Sequence, residues 1–220
     1  MNLLLRSYWR SSCSWRVRIG LGLKGLAYEY RAVNLLSGDQ DRPDHRARSP
    51  FGHVPVLEIE EGGRTLVLIE SVAILEYLDE RFRDPPFLPS DLEGRARVRA
   101  LAEHVNSAIQ PMQNTSCRKF LETRQHGLGL DFARHWNQLG LAALETALQD
   151  GKAGRFCHGD APGLADLYLV PQLNAARRLE VDLTPYPTLL RIEEACSALP
   201  AFQAAHASRQ PDAPPEARAS

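Results

Sequence analysis

Apolar positions follow two regimes along the chain, and the change falls near residue 85. Before it, short apolar runs alternate with polar stretches at residues 2–5, 28–33, 54–59 and 65–69. Each run is short and rich in Leu, Val, Ile or Tyr, which predicts strands. Gly62-Gly63, between the last two, predicts a hairpin turn. Residues 37–50 are polar with two prolines and predict a loop with at most a short helix. Ile74, Leu75, Leu78 and Phe82 then form a helical stripe. Asp84-Pro85-Pro86-Phe87-Leu88-Pro89-Ser90 reads as a linker, because proline blocks both helix and central strand. Beyond it the pattern is helical. Val98, Leu101, Ala102, Val105, Ile109 and Met112 recur at helical intervals, and Pro111 should kink or end that helix. Phe132, Trp136 and Leu139 open a second stripe, continued by Leu144 and Leu148, and residues 164–179 and 188–199 predict two more helices.

One segment conflicts with itself. Trp15-Arg16-Val17-Arg18-Ile19-Gly20-Leu21-Gly22-Leu23 alternates with period two, which by pattern alone reads as a strand. Ser11, Ser12 and Ser14 are good helix caps, Gly25 is a C-terminal stop, and parallel neighbouring strands need a crossover. We read a helix. The expected organisation is an α/β unit over 1–83, a linker over 84–90, an all-helical unit over 91–209 and a flexible tail over 210–220. That tail holds three prolines and no large apolar residue.

Composition narrows the function classes. Of 220 residues, 26 are Lys or Arg and 27 Asp or Glu, a net charge of −1, which lacks the basic footprint of a nucleic-acid binder. No run of about 18 apolar residues exists to span a membrane. The start, Met1-Asn2-Leu3-Leu4-Leu5-Arg6, is too short for a signal peptide, so we expect a cytoplasmic protein. Cys13, Cys117, Cys157 and Cys196 contain no Cys-x-x-Cys pair, and the seven His are scattered, so we expect reduced thiols and no bound metal.

The chemistry-bearing residues gather in three places. Arg10-Ser11-Ser12-Cys13-Ser14 sits where a strand should turn into a helix. Free N–H groups at a helix start favour an anion, Arg10, Arg16 and Arg18 add positive charge, and a thiolate held there would have a depressed pKa. The alternative reading is that the serines only cap the helix. Gly52-His53-Val54-Pro55 puts a proline at the head of an apolar strand, either a plain strand start or a cis-proline that bares neighbouring backbone groups. Glu70-Ser71 opens a helix, where Ser71 either caps it or helps to hold a carboxylate.

The order of these elements resembles the cytosolic glutathione transferases. Ser11-Ser12-Cys13-Ser14-Trp15-Arg16-Val17-Arg18-Ile19 is similar to the signature of their zeta class, the maleylacetoacetate and maleylpyruvate isomerase family. Ile109-Gln110-Pro111-Met112-Gln113-Asn114, Val170-Pro171-Gln172, Val181-Asp182-Leu183-Thr184-Pro185-Tyr186-Pro187 and Arg209-Gln210-Pro211-Asp212 match further, in the family's order and over nearly the whole chain. The resemblance implies an α/β thioredoxin-like N-terminal domain, an all-α C-terminal domain and glutathione as coenzyme. By position, Ser11, Ser12 and Cys13 would line the thiol end as the catalytic group. Ser11, Gln40, Val54, Pro55, Glu70, Ser71, Gln110 and Asn114 would hold glutathione, and Arg10 and Arg178 a substrate with two carboxylates. Two departures stand out: Glu70 where zeta members often have Gln, and Gly163 where a Ser or Thr cap usually stands before Ala165-Asp166.

The implied reaction converts maleylacetoacetate to fumarylacetoacetate by thiolate addition, bond rotation and elimination, with the nucleophile borrowed from the coenzyme. Alternatives are a maleylpyruvate isomerase, and a general conjugating transferase or haloacid dehalogenase. The resemblance also implies a homodimer.

Overall fold

The computed structural model describes residues 1–218. The chain divides into two units, one of Met1–Pro86 with the chain from Leu199 on, the other Phe87–Ala198. In the first unit the elements run β1 (Asn2–Ser7), α1 (Ser12–Leu23), β2 (Glu29–Ala32), α2 (Pro43–Arg46), β3 (Val56–Glu61), β4 (Arg64–Ile69) and α3 (Ser71–Arg81). The sheet order is β2-β1-β3-β4. β1 and β2 are parallel and joined through α1, whereas β3 runs antiparallel to both β1 and β4. The β3–β4 hairpin turns on Gly62 and Gly63, whose φ values of 56° and 76° suit glycine. Leu3, Leu5, Leu57 and Ile59 share one buried face of the sheet, and Ile74, Leu75 and Leu78 of α3 are buried with the apolar residues of α1.

The second unit holds α4 (Leu92–Glu103), α5 (Thr115–Glu122), α6 (Leu128–Ala147), α7 (Leu164–Arg178) and α8 (Pro187–Ser197). Asp91 caps α4 by accepting from the Gly94 N–H at 2.7 Å. α4 widens into a π turn, His104–Ile109, and Pro111 then starts a 3-10 turn, Pro111–Gln113, so the helix ends at the expected proline. Gly140 admits the π turn: a Cβ there would stand 2.3 Å from Ile109 Cγ1. The expected α6 stripe needs correction. The buried face is Ala133, Asn137, Gly140, Leu141 and Leu144, while Leu139 is 54% exposed. Small residues face inward because α6 packs closely on its neighbours, which leaves Phe132 and Trp136 half-buried.

The linker also differs from the expected 84–90. Phe87 and Leu88 are buried, and the Phe87 carbonyl accepts from the Leu164 N–H at 2.8 Å. That approach explains Gly163, since a Cβ there would meet the Phe87 oxygen at 2.9 Å. Asp166 takes over the cap, accepting from Gly163 N–H at 2.8 Å and Cys157 N–H at 2.9 Å.

The chain then returns to the first unit with α9 (Pro200–Ala205) and α10 (Pro215–Arg218). The expectation of a flexible tail over 210–220 is corrected here for residues 210–218; Ala219 and Ser220 lie outside the described residues. Gln210 and Ala213 are buried, and Asp212 accepts from the Trp9 N–H at 3.0 Å and the Tyr30 hydroxyl at 2.6 Å. α9 also resolves the period-two puzzle. α1 packs against both α3 and α9, so Trp15, Val17, Ile19 and Leu21 are buried along with Arg16, Arg18 and Gly20. A helix enclosed on most sides needs no single apolar stripe. Gly22 makes room for the contact: a Cβ there would lie 3.1 Å from the Ala201 Cβ.

Candidate active site

Sheet register brings three of the sequence candidates to one end of the first unit. Arg6 pairs with Val56, Val56 pairs with Ile69, and Ser7 pairs with Ala32. The C-terminal ends of β1, β2 and β4 and the N-terminal end of β3 therefore share an edge. From that edge leave the Tyr8–Ser11 turn into α1, the Val54-Pro55 approach to β3, and the Glu70-Ser71 start of α3. Tyr8, Val33 and Val54 pack together beneath it, with Trp9 and Leu35 against them.

Ser11 is the N-cap of α1, and its Oγ accepts from the Ser14 N–H at 3.2 Å. Its hydroxyl hydrogen remains available to donate. Ser12 and Cys13 occupy the first helical positions, half-buried, and their N–H groups have no intrahelical acceptor. Arg10 lies half-buried with its guanidinium 5.9 Å from the Trp9 ring centroid, and it pairs with no carboxylate among the described residues. Arg16 and Arg18, expected to add positive potential, are instead fully buried. Arg16 donates to Ser71 Oγ at 3.2 Å, tying α1 to the start of α3. Arg18 donates to Ser7 Oγ at 3.1 Å, Tyr8 O at 3.3 Å, Trp9 O at 3.0 Å and Ala205 O at 3.1 Å. Burial pulls the Arg18 pKa down to about 10, against opposing contributions from Tyr30, Tyr28 and Asp212, so it stays charged at neutral pH.

The Val54-Pro55 peptide is cis. Val54 is buried, lies outside β3, and its backbone N–H and C=O find no partner among the described residues. Such an edge can pair with an extended peptide. Glu70 adopts φ 66° and ψ 125°, a conformation that costs a non-glycine residue about 1–3 kcal/mol. It turns the chain so that the first N–H groups of α3, from Ser71 to Ala73, point out of the helix start. The Glu70 carboxylate lies 3.4 Å from His53 Nδ1, both exposed. Gln40 sits in a 3-10 turn after β2, donates to Asp41 at 3.2 Å, and leaves its buried Oε1 with no partner among the described residues. These groups fit a peptide that carries carboxylates: an acceptor awaiting an N–H, a free backbone edge, and two helix starts for anions.

In the second unit, Gln110 Nε2 donates to Asn114 Oδ1 at 2.7 Å across the Pro111–Gln113 turn. Arg178 lies exposed in the last turn of α7, and its neighbour Arg177 is paired with Glu193. Sequence reasoning missed the amides beneath the turn. Gln113, Asn137 and Gln172 form a closed triangle: Gln113 and Gln172 exchange hydrogen bonds at 3.1 Å, Gln172 donates to Asn137 at 2.6 Å, and Asn137 donates to Gln113 at 3.0 Å. Gln113 and Gln172 stood in the motifs quoted above without a role, and Asn137, a polar residue on the inner face of α6, was the third signal. No group of His, Cys, Asp or Glu among the described residues could hold a metal ion. Nor is any described helix long and apolar enough to cross a membrane.

Comparison with known proteins shows the family. Residues 10–81 match the glutathione S-transferase N-terminal domain. A zeta-class glutathione S-transferase of Euphorbia esula is 47% identical over 96% of this chain and 92% of its own. The chain belongs to the zeta class of the glutathione transferases. A maleylacetoacetate isomerase from Anaeromyxobacter dehalogenans, crystallised with GSH in its active site, is 63% identical, covers 97% of this chain and 98% of its own, and superposes with a TM-score of 0.91. The same isomerase has also been crystallised with dicarboxyethyl glutathione and citrate in the active site. A maleylpyruvate isomerase of Ralstonia is 44% identical over 94% of this chain and 98% of its own.

Proposed function

We propose that this protein is a glutathione-dependent cis–trans isomerase that converts maleylacetoacetate to fumarylacetoacetate. The observation that carries the reading is the meeting, at one sheet end, of the Ser11 hydroxyl, the unpaired Val54 backbone and the N-terminus of α3. Glutathione, when bound, supplies a thiol that adds to the substrate double bond and leaves again, so that none is consumed. In this reading Ser11 donates a hydrogen bond to the sulfur, and the Ser12 and Cys13 N–H groups add positive potential beside it. Gln40, Val54, Pro55, Glu70 and Ser71 hold the peptide part; Gln110, Asn114 and Arg178 take their assignment from the family resemblance. Arg10 and Arg178 are our candidates for the two substrate carboxylates, where bidentate pairing would orient the molecule. The bound dicarboxyethyl glutathione of the Anaeromyxobacter isomerase, a four-carbon diacid joined to the sulfur, supports addition of this kind.

The test compares kcat/KM on maleylacetoacetate and maleylpyruvate while following free glutathione. We expect preference for maleylacetoacetate with glutathione returned. A tenfold preference for maleylpyruvate would replace the substrate, and stoichiometric loss of glutathione would replace isomerisation by conjugation. A thermal shift at millimolar glutathione checks binding separately. We further propose a cytoplasmic homodimer; the exposed Phe51, Leu66 and Val67 support association, and light scattering of the purified protein tests it.

A further inference from the structure

The turn that delivers Ser11 is held by the far end of the chain. Tyr8 to Ser11 close a turn in which the Ser11 N–H donates to Tyr8 O at 3.0 Å. Trp9, inside that turn, has both backbone polar groups engaged. Its carbonyl accepts from Arg18 at 3.0 Å, and its N–H donates to Asp212 Oδ2 at 3.0 Å. Arg18 is itself anchored on Ala205 O of α9, and Asp212 Oδ1 is fixed by the Tyr30 hydroxyl at 2.6 Å. The turn is thus clamped from both sides, by a guanidinium through its carbonyls and by a carboxylate through its N–H. Both clamps lean on residues near the C-terminal end of the chain. We infer that Asp212 is a positioning residue for Ser11, acting through the Trp9 N–H.

The inference rests on the proposed function, which assigns Ser11 to the sulfur of glutathione. Losing the Asp212 carboxylate leaves Trp9 held on one side only, so the Ser11 hydroxyl drifts from the sulfur. A misplacement of about 1 Å can cost on the order of a hundredfold in rate.

The experiment uses full-length Asp212→Ala and Asp212→Asn, assayed well below their melting temperatures. For Asp212→Ala we expect kcat to fall about ten- to a hundredfold. The thiol pKa, read from thiolate absorbance of bound glutathione or from the pH profile of kcat/KM, should rise toward the free-thiol value of about 8.5. Affinity for S-methylglutathione, which lacks the thiol, should change little. Asp212→Asn keeps an acceptor for the Trp9 N–H, and the Tyr30 hydroxyl can turn to accept from its amide, so it should restore both readouts. A folded Asp212→Ala that is merely less stable, with wild-type kcat and pH profile, overturns the inference and leaves the proposed function standing. A wild type that neither binds glutathione nor isomerises the substrate overturns that function instead. Should Asp212→Ala fail to fold, Tyr30→Phe carries the test, and an unmoved pH profile there overturns the inference.

Discussion

Gln172→Leu is the sharpest test of what holds the helical unit's turn in place. The side chain is fully buried, as is its partner Asn137. Substitution by leucine keeps similar volume but removes three hydrogen bonds, two with Gln113 and one to Asn137. Two groups lose their partners: Asn137 Oδ1 and Gln113 Nε2. A buried unsatisfied group costs about 1–3 kcal/mol. Asn137 cannot reach water, whereas half-buried Gln113 can turn partly toward it, so the sum should fall at about 2–4 kcal/mol. At about 2–4 °C per kcal/mol for a protein of this size, the melting temperature should drop by roughly 4–16 °C. Urea unfolding followed by circular dichroism measures the free energy directly. The triangle makes a second demand. Replacing Asn137 as well removes the orphaned acceptor, so Asn137→Leu/Gln172→Leu should cost less than the sum of the single variants by about 1 kcal/mol or more. A single variant costing under about 0.5 kcal/mol, or a strictly additive pair, would refute the argument that these amides satisfy one another.

Other outcomes follow from individual contacts. Burial alone would raise the Glu58 carboxyl pKa, but hydrogen bonds and charge from Arg6 and Arg48 outweigh it and hold it below the usual range. A depressed folded pKa contributes stability that is present above the unfolded value of about 4.3 and lost as pH falls through the folded one. Glu58→Gln should therefore flatten that acid limb of stability against pH and cost about 3 kcal/mol at pH 7, because Arg6 is left buried with only Asp44 beside it; an unchanged acid limb would contradict this. Gly163→Ser restores a better cap yet places a Cβ 2.9 Å from Phe87 O, so we expect a net loss of about 1–3 kcal/mol by chemical unfolding, and a gain would show that the Phe87 segment yields. Ser11→Ala should lower kcat by about ten- to a hundredfold, the worth of a charge-assisted hydrogen bond, and cost about 0.5–2 kcal/mol of stability through the lost cap. Full activity in Ser11→Ala together with inactive Cys13→Ala would move the role from the hydroxyl to the thiol.

Most of the α/β unit was legible because its signals are local. The strands, the Gly62-Gly63 hairpin and the serine cap of α1 each depend on neighbours within a few residues. What failed to read were features set by distant partners. Arg16 and Arg18 look like surface charges in a sequence, and only Ser71 and Ala205 explain their burial. The proline-rich end looked disordered because proline and small residues build no core by themselves. Asp212 is ordered by Trp9 and Tyr30, which lie about two hundred residues earlier. The α6 stripe misled for a related reason: close helix contact selected Ala133 and Gly140 for the interior over the larger Phe132 and Leu139.

The burial of Arg16 and Arg18 changes the electrostatic account of the candidate site. Of the three arginines flanking the serine turn, only Arg10 keeps a guanidinium near the surface. The attraction for an anion then rests largely on backbone, on the free N–H groups at the starts of α1 and α3. Donors of that kind are fixed in direction by the helices that carry them, whereas an arginine on a flexible stem follows its ligand. The two buried arginines serve the same end indirectly. Arg16 spans from α1 to Ser71 at the head of α3, and Arg18 grips the turn before Ser11, so each sets where a helix start points. Positive charge is spent on geometry, and the geometry supplies the potential. That arrangement suits a chemistry in which one sulfur must be held at a defined point while the bond beside it rotates.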